Sequence, residues 1–232
     1  MREIRKVLPS ARYIYFADNA HCPYGEKSAA YIQDRARAIT RLLLDKGAEA
    51  IVVACNTATG AAIETLRKEF DIPFVGMEPA VKPAALETRS GVIGVLATAG
   101  TLKASKYLNT KEMFQHDVRI EEHVGEGFVQ LVEARKLDGP EAERVVRASL
   151  QPLLDAGADT IVLGCTHYPF LLPVIRRIAG PGVQVIDPAP AVARQLLHVL
   201  DERGIAGPDP TPGVELLSSG DPASLHALYD II

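Results

Sequence analysis

Apolar positions along the chain follow two rhythms. Short, mostly apolar runs at residues 13–16, 50–54, 73–76, 92–96, 160–164 and 183–186 read as strands, the one at 50–54 as a buried strand. Longer stretches between them repeat at helical spacing. Residues 26–46 carry Ile32, Ala36, Ile39 and Leu43 on one stripe and end at Gly47, a helix-stopping signal. Residues 59–70, a stretch after Thr98, residues 127–136, 140–156 and 189–204 also read as helices. Strands alternating with helices predict an α/β fold with mostly parallel sheets and helices on both faces. In such sheets ligands bind beyond the carboxyl ends of the strands.

The pattern also repeats itself. Residues 43–55 and 153–165 match without a gap at an offset of 110, with eight of thirteen positions identical and a cysteine closing each copy. Glu78-Pro79-Ala80 and Asp187-Pro188-Ala189 follow as a second echo, at an offset of 109. Two related halves are the simplest account. We expect two pseudo-symmetric α/β domains with an active-site cleft between them. Residues 1–78 with 188–232 form the first, carrying Cys55, and residues 79–187 form the second, carrying Cys165.

Composition narrows the function classes. The 232 residues carry a net charge of −4 and no basic stripe, which argues against a nucleic-acid partner. The apolar runs fall far short of the roughly 18 residues of a membrane span, and no apolar signal core opens the chain. No membrane association and a cytoplasmic location are therefore expected. Three cysteines, Cys22, Cys55 and Cys165, make neither a disulfide framework nor a zinc spacing.

A lone cysteine ending a buried strand often only fills space. Two of them, each ending the same repeated unit, invite a chemical reading. Cys55 runs into Asn56 and Thr57, and Cys165 into Thr166 and His167. Hydroxyl, amide and helix-start N–H donors suit a carboxylate. A donor-rich strand end also lowers a thiol pKa. Two thiols facing each other across a cleft can invert a carbon centre, one removing a proton from one face and the other delivering one to the opposite face. That scheme requires no cofactor, and Gly125-Glu126-Gly127 is too short to be a phosphate loop.

Ala54-Cys55-Asn56-Thr57-Ala58 and Gly164-Cys165-Thr166-His167-Tyr168-Pro169 resemble the paired signatures of the glutamate racemases. Ala17-Asp18-Asn19-Ala20 with Pro23-Tyr24-Gly25, the segment 76–84 and the segment 94–101 agree, in family order over almost the whole chain. The resemblance implies that Cys55 and Cys165 are the proton-transfer residues, the first working on the D-enantiomer and the second on the L-enantiomer. It implies that Glu133 and His167 are auxiliary ionisable groups. Pro23, Tyr24 and Gly25 would line the substrate pocket, and Asn56, Thr57 and Thr166 would hold the α-carboxylate and amino group. It further implies glutamate as the small-molecule partner, no cofactor, a homodimer, and supply of D-glutamate for the bacterial cell wall.

One departure is clear at this level. The family opens with a strand and an Asp-Ser-Gly loop, whose Asp assists the first cysteine, and this sequence begins in the helix that follows. Weak racemisation, with the Cys55 side more damaged, is the corresponding expectation. Cys22 also departs from the pattern and reads as a bland substitution or an oxidisable thiol. The rival functions are a racemase for aspartate or another amino acid, a non-catalytic glutamate-binding or regulatory form, and a thiol redox protein. The last lacks a CxxC pair.

Overall fold

The computed structural model of the chain describes residues 1–205 and 211–221. In chain order these form α1 (Arg2–Val7), β1 (Arg12–Ala17), α2 (Ala29–Asp45), β2 (Ile51–Val53), α3 (Asn56–Glu69), β3 (Phe74–Gly76), α4 (Val81–Glu87), β4 (Val92–Ala97), α5 (Ala99–Leu102), α6 (Ser105–Phe114), β5 (Arg119–Val124), α7 (Phe128–Glu133), α8 (Pro140–Asp155), β6 (Thr160–Gly164), α9 (Leu172–Ala179), β7 (Gln184–Ile186), α10 (Ala189–Arg203) and β8 (Gly213–Ser218). Internal contacts divide them into two compact units. The first holds residues 1–54, 61–77 and the described residues from 189 onward; the second holds residues 55–60 and 78–188.

The second unit is built on one four-stranded parallel sheet in the order β5-β4-β6-β7. Its central strands β4 and β6 are apolar apart from Thr160 and almost wholly buried, as strands covered on both faces must be. One apolar layer packs Leu96, Ile161 and Leu163 against Val146, Leu150 and Leu153 of α8 and Val174 and Ile175 of α9. The opposite layer sets Ile93, Val95 and Val162 against Val81, Ala84 and Tyr107. In the first unit, β1 pairs with β8 and β2 pairs with β3, both in parallel, as two separate two-stranded sheets. Ala62, Ile63 and Leu66 of α3 pack with Leu43, Ile51 and Phe74, and α10 packs Val192, Leu196 and Leu200 with Val75 and Met77.

The repeated sequence is a repeated structure. Gly47 and Gly157 both take the left-handed conformation, at φ +83° and +89°, just past α2 and α8. In one copy Ala48 N–H donates to Leu43 O at 2.9 Å; in the other Ala158 N–H donates to Leu153 O at 3.1 Å. The same cap then feeds β2, paired Ile51 to Phe74, and β6, paired Ile161 to Val185.

Some elements differ from the sequence expectation for physical reasons. The helix expected at 26–46 begins at Ala29, because residues 24–26 form a 3₁₀ turn and the Ser28 hydroxyl caps the helix by accepting from Tyr31 N–H. The helix expected from 59 begins at Asn56. Its Asn, Thr and Gly residues are poor helix formers, yet Thr59 N–H to Cys55 O at 2.8 Å closes the first turn. β5 was not expected at all: Arg119, Glu121, Glu122 and His123 obscure it, and they are tolerated because β5 is an edge strand. β8, α4 and α9 also went unread. Residues 206–210 and 222–232 of the expected first domain lie outside the described residues. Residues 55–60 group with the second unit, whereas the sequence division kept Cys55 with the first. Within that unit the Thr57 hydroxyl reaches Thr98 and Thr101.

Candidate active site

Three groups of the sequence-predicted residues assemble, each described within its own unit. The first is the turn joining β2 to α3. Cys55 is half-buried, directly ahead of the helix. Ala58 N–H points at its sulfur, 3.5 Å away. Burial pushes the Cys55 thiol upward, and hydrogen bonding from Ala58 and Thr57 pulls the other way without cancelling it. The sequence expectation of a lowered thiol pKa is therefore corrected: desolvation outweighs the donors. Asn56 is 4% exposed, and neither its Nδ2 nor its Oδ1 has a partner among the described residues. A buried amide with both ends unanswered is costly unless something polar meets it. Thr57, also buried, reaches Thr98 Oγ1 at 2.9 Å and Thr101 Oγ1 at 3.2 Å.

The second group follows β6. Cys165 is half-buried, with its sulfur 3.9 Å from His167 Nδ1. His167 Nε2 lies 2.7 Å from Oε1 of Glu133, the last residue of α7. The His167 hydrogen bond holds the Glu133 carboxyl below its ordinary range. A carboxylate accepts only from Nε2–H, so neutral His167 turns the lone pair of Nδ1 toward Cys165. Thr166 lies half-buried on the same turn. Tyr168 anchors that turn: its hydroxyl donates to the Ala97 and Gly125 carbonyls at 3.2 and 3.3 Å, and its ring packs on Phe128. Gly125 is required there, since a Cβ would sit 2.5 Å from the Tyr168 oxygen.

The third group belongs to the first unit. Pro23, Tyr24 and Gly25 lie at the 3₁₀ turn after β1. The Tyr24 hydroxyl donates to Asp18, and Arg35 of α2 clamps the same carboxylate through Nε at 3.0 Å and Nη2 at 2.6 Å. Burial pushes Asp18 up, yet the bonds from Arg35, Tyr24 and Ser219 hold it below the ordinary range. Nothing in the sequence pattern pairs Asp18 with Arg35, which sits 17 residues away inside a helix. Thr98 and Thr101 likewise carry no local signal beyond a helix start. Among the described residues no cluster could hold a metal ion, and no helix is long and apolar enough to cross a membrane.

The fold and these strand-end cysteines define a class: an α/β racemase, an isomerase, with a duplicated helix–strand–cysteine unit. Residues 1–196 match the Asp/Glu/Hydantoin racemase family, and the chain belongs to it. Within that family it is similar to a glutamate racemase of Ectopseudomonas mendocina, 46% identical over 100% of this chain and 89% of the relative. A glutamate racemase of Methylococcus capsulatus is 47% identical over 97% and 83%. Among solved structures, a glutamate racemase isoform from Bacillus anthracis superposes with a TM-score of 0.89 at 31% identity, covering 99% of this chain and 87% of that one. The Escherichia coli glutamate racemase, solved with L-glutamate and the activator UDP-MurNAc-ala, gives 0.88 at 34% identity over 99% and 87%.

Proposed function

We propose that this chain interconverts L- and D-glutamate by two-base proton transfer between Cys55 and Cys165, without a cofactor. The observation that carries the reading is the duplicated strand-end cysteine, each copy with a different local partner set. Cys165 faces His167, whose ring is oriented by Glu133. Cys55 faces the donors of the α3 start. Relatives over the full chain are glutamate racemases, and one such structure holds D-glutamate. Asn56, Thr57 and Thr166 would hold the α-carboxylate and amino group, and Pro23, Tyr24 and Gly25 would line the pocket. Asn56 is the best supported of these, because its unanswered amide supplies both a donor and an acceptor.

For L-glutamate, the Cys165 thiolate takes the α-proton as the C–H bond breaks and an S–H bond forms. The Cys55 thiol then gives its proton to the opposite face. The roles exchange for D-glutamate. Positioned acid–base groups of this kind contribute roughly 10²–10⁴-fold each. A cytoplasmic homodimer supplying D-glutamate to peptidoglycan is the setting we infer.

The test is racemisation in D₂O, followed by circular dichroism and by mass spectrometry of the α-carbon. The chain should racemise glutamate and leave aspartate alone, with product carrying solvent deuterium. Replacing either cysteine by serine should lower racemisation by at least about 100-fold. Cys165→Ser should still exchange the α-proton of D-glutamate, and Cys55→Ser that of L-glutamate. Turnover of aspartate in preference to glutamate, or full racemisation without one cysteine, overturns the reading.

A further inference from the structure

The carboxyl end of β1 runs into a segment, residues 18–27, that α2 holds at two points. Tyr31 and Arg35 stand four residues apart on that helix and so share a face. The Tyr31 hydroxyl meets His21 Nδ1 at 2.5 Å, and the Lys27 ammonium sits 5.7 Å from the centre of the Tyr31 ring. Tyr31 is 37% exposed, so this hold is open to water. The hold at Arg35 is drier. Asp18 is 8% exposed and accepts from Arg35 Nε at 3.0 Å and Nη2 at 2.6 Å, a two-pronged bond that suits a planar guanidinium. The Tyr24 hydroxyl donates to the same Oδ2 that accepts from Arg35 Nε. The Asp18 backbone carbonyl accepts from the His21 N–H at 3.0 Å and the Cys22 N–H at 3.1 Å. One residue thus ties positions 21, 22 and 24 to the helix. A buried ion pair adds little stability over apolar packing, and this one does not close on itself: it keeps an acceptor for Tyr24.

We propose that Arg35, acting through Asp18, is a positioning residue that sets the Pro23-Tyr24-Gly25 turn for glutamate. The inference rests on the reading above in which that turn lines the substrate pocket. Tyr24 has one hydroxyl proton and Asp18 receives it, so the ring is fixed at its far end. Its backbone is fixed as well, because the Lys27 N–H donates to Tyr24 O at 3.0 Å and closes the turn. The Arg35 charge is met by the Asp18 carboxylate, so its part is to hold the turn and not to serve as counter-ion to a substrate carboxylate. The clamp consists of Asp18, Tyr24 and Arg35 and includes neither Cys55 nor Cys165. Its loss therefore weakens glutamate binding more than proton transfer.

The experiment pairs amide hydrogen exchange with steady-state kinetics on the full chain. In Arg35→Gln, exchange at the His21, Cys22 and Lys27 amides should speed by about tenfold, while the Ile51 N–H, bonded to Pro73 O in the same unit, keeps its protection. KM for L- and D-glutamate should rise by roughly tenfold, with kcat changed by less than about twofold. Arg35→Lys, which keeps the charge and loses the two-pronged bond, is the second variant and should move both readouts the same way by less. In a Tyr24→Phe background, Arg35→Gln should raise KM by a smaller factor than in the parent, because the link it acts through is already cut. Unmoved exchange at the three amides, a fall in kcat without a rise in KM, or an Arg35→Gln effect undiminished in the Tyr24→Phe background overturns the proposal. The exchange measurement needs no turnover. Faster exchange at those amides in a chain that fails to racemise glutamate would remove the racemase reading and leave the clamp standing.

Discussion

His167 shows how one residue acquires a direction. Its ring nitrogens are equivalent in the sequence and distinct in the structure, because Glu133 claims Nε2 at 2.7 Å and leaves Nδ1 facing Cys165. Removing the claim should matter chemically more than structurally, since Glu133 is 42% exposed and an exposed pair contributes little stability. We expect Glu133→Gln to keep its thermal midpoint and to lose about tenfold in kcat/KM, or ~1.4 kcal/mol of barrier. The loss must be equal for both enantiomers, because their equilibrium constant is unity. Steady-state rates in both directions check this; an unchanged kcat/KM would show Glu133 to be a bystander.

At the scale of elements, Asp159 fastens the amino ends of β4, β6 and β7. Its carboxylate accepts from the Thr88 hydroxyl at 2.6 Å and from the Arg89 and Ser90 N–H groups at 2.8 Å each, just before β4. Its own backbone N–H donates to Val92 O, and its carbonyl accepts from Gln184 N–H. Burial pushes its pKa up, but the donors overcome that and bring it down to about 2. The folded value lies below the unfolded one of about 3.9. The stabilisation is therefore complete above pH ~4 and lost as pH falls through about 2. Asp159→Asn should cost about 1–3 kcal/mol at neutral pH, and its deficit relative to the parent should shrink toward pH 2. Urea unfolding across that range measures both; a deficit independent of pH would place the effect elsewhere.

At the scale of the molecule, the two units invest differently in their sheets. The second has four strands in one sheet, with β4 and β6 buried on both faces. Among the described residues the first has two sheets of two strands each. Small sheets open more readily, so equivalent strands should differ in protection. Hydrogen exchange at Val162 in β6 should be slower than at its repeat partner Val52 in β2 by on the order of tenfold or more. Equal protection would mean that strand number does not govern local opening here.

The sequence by itself determined the α/β class, the repeated helix–glycine–strand–cysteine unit and the positions of the two cysteines that close it. These are local properties: a period of apolar residues, a glycine where φ turns positive, a cysteine at a strand end. It located β6 at residues 160–164 because a strand buried on both faces is mostly one apolar run. It missed β5, whose edge position permits charged residues, and it started α3 late because helix propensity is overridden by the turn that Cys55 begins. Only the tertiary structure decided which polar groups meet. Asp18 with Arg35, Glu133 with His167, and Thr57 with Thr98 and Thr101 are brought together from 17, 34 and more than 40 residues apart. A hydrogen bond depends on a few ångströms of separation between side chains, and one-dimensional periodicity carries no record of that distance.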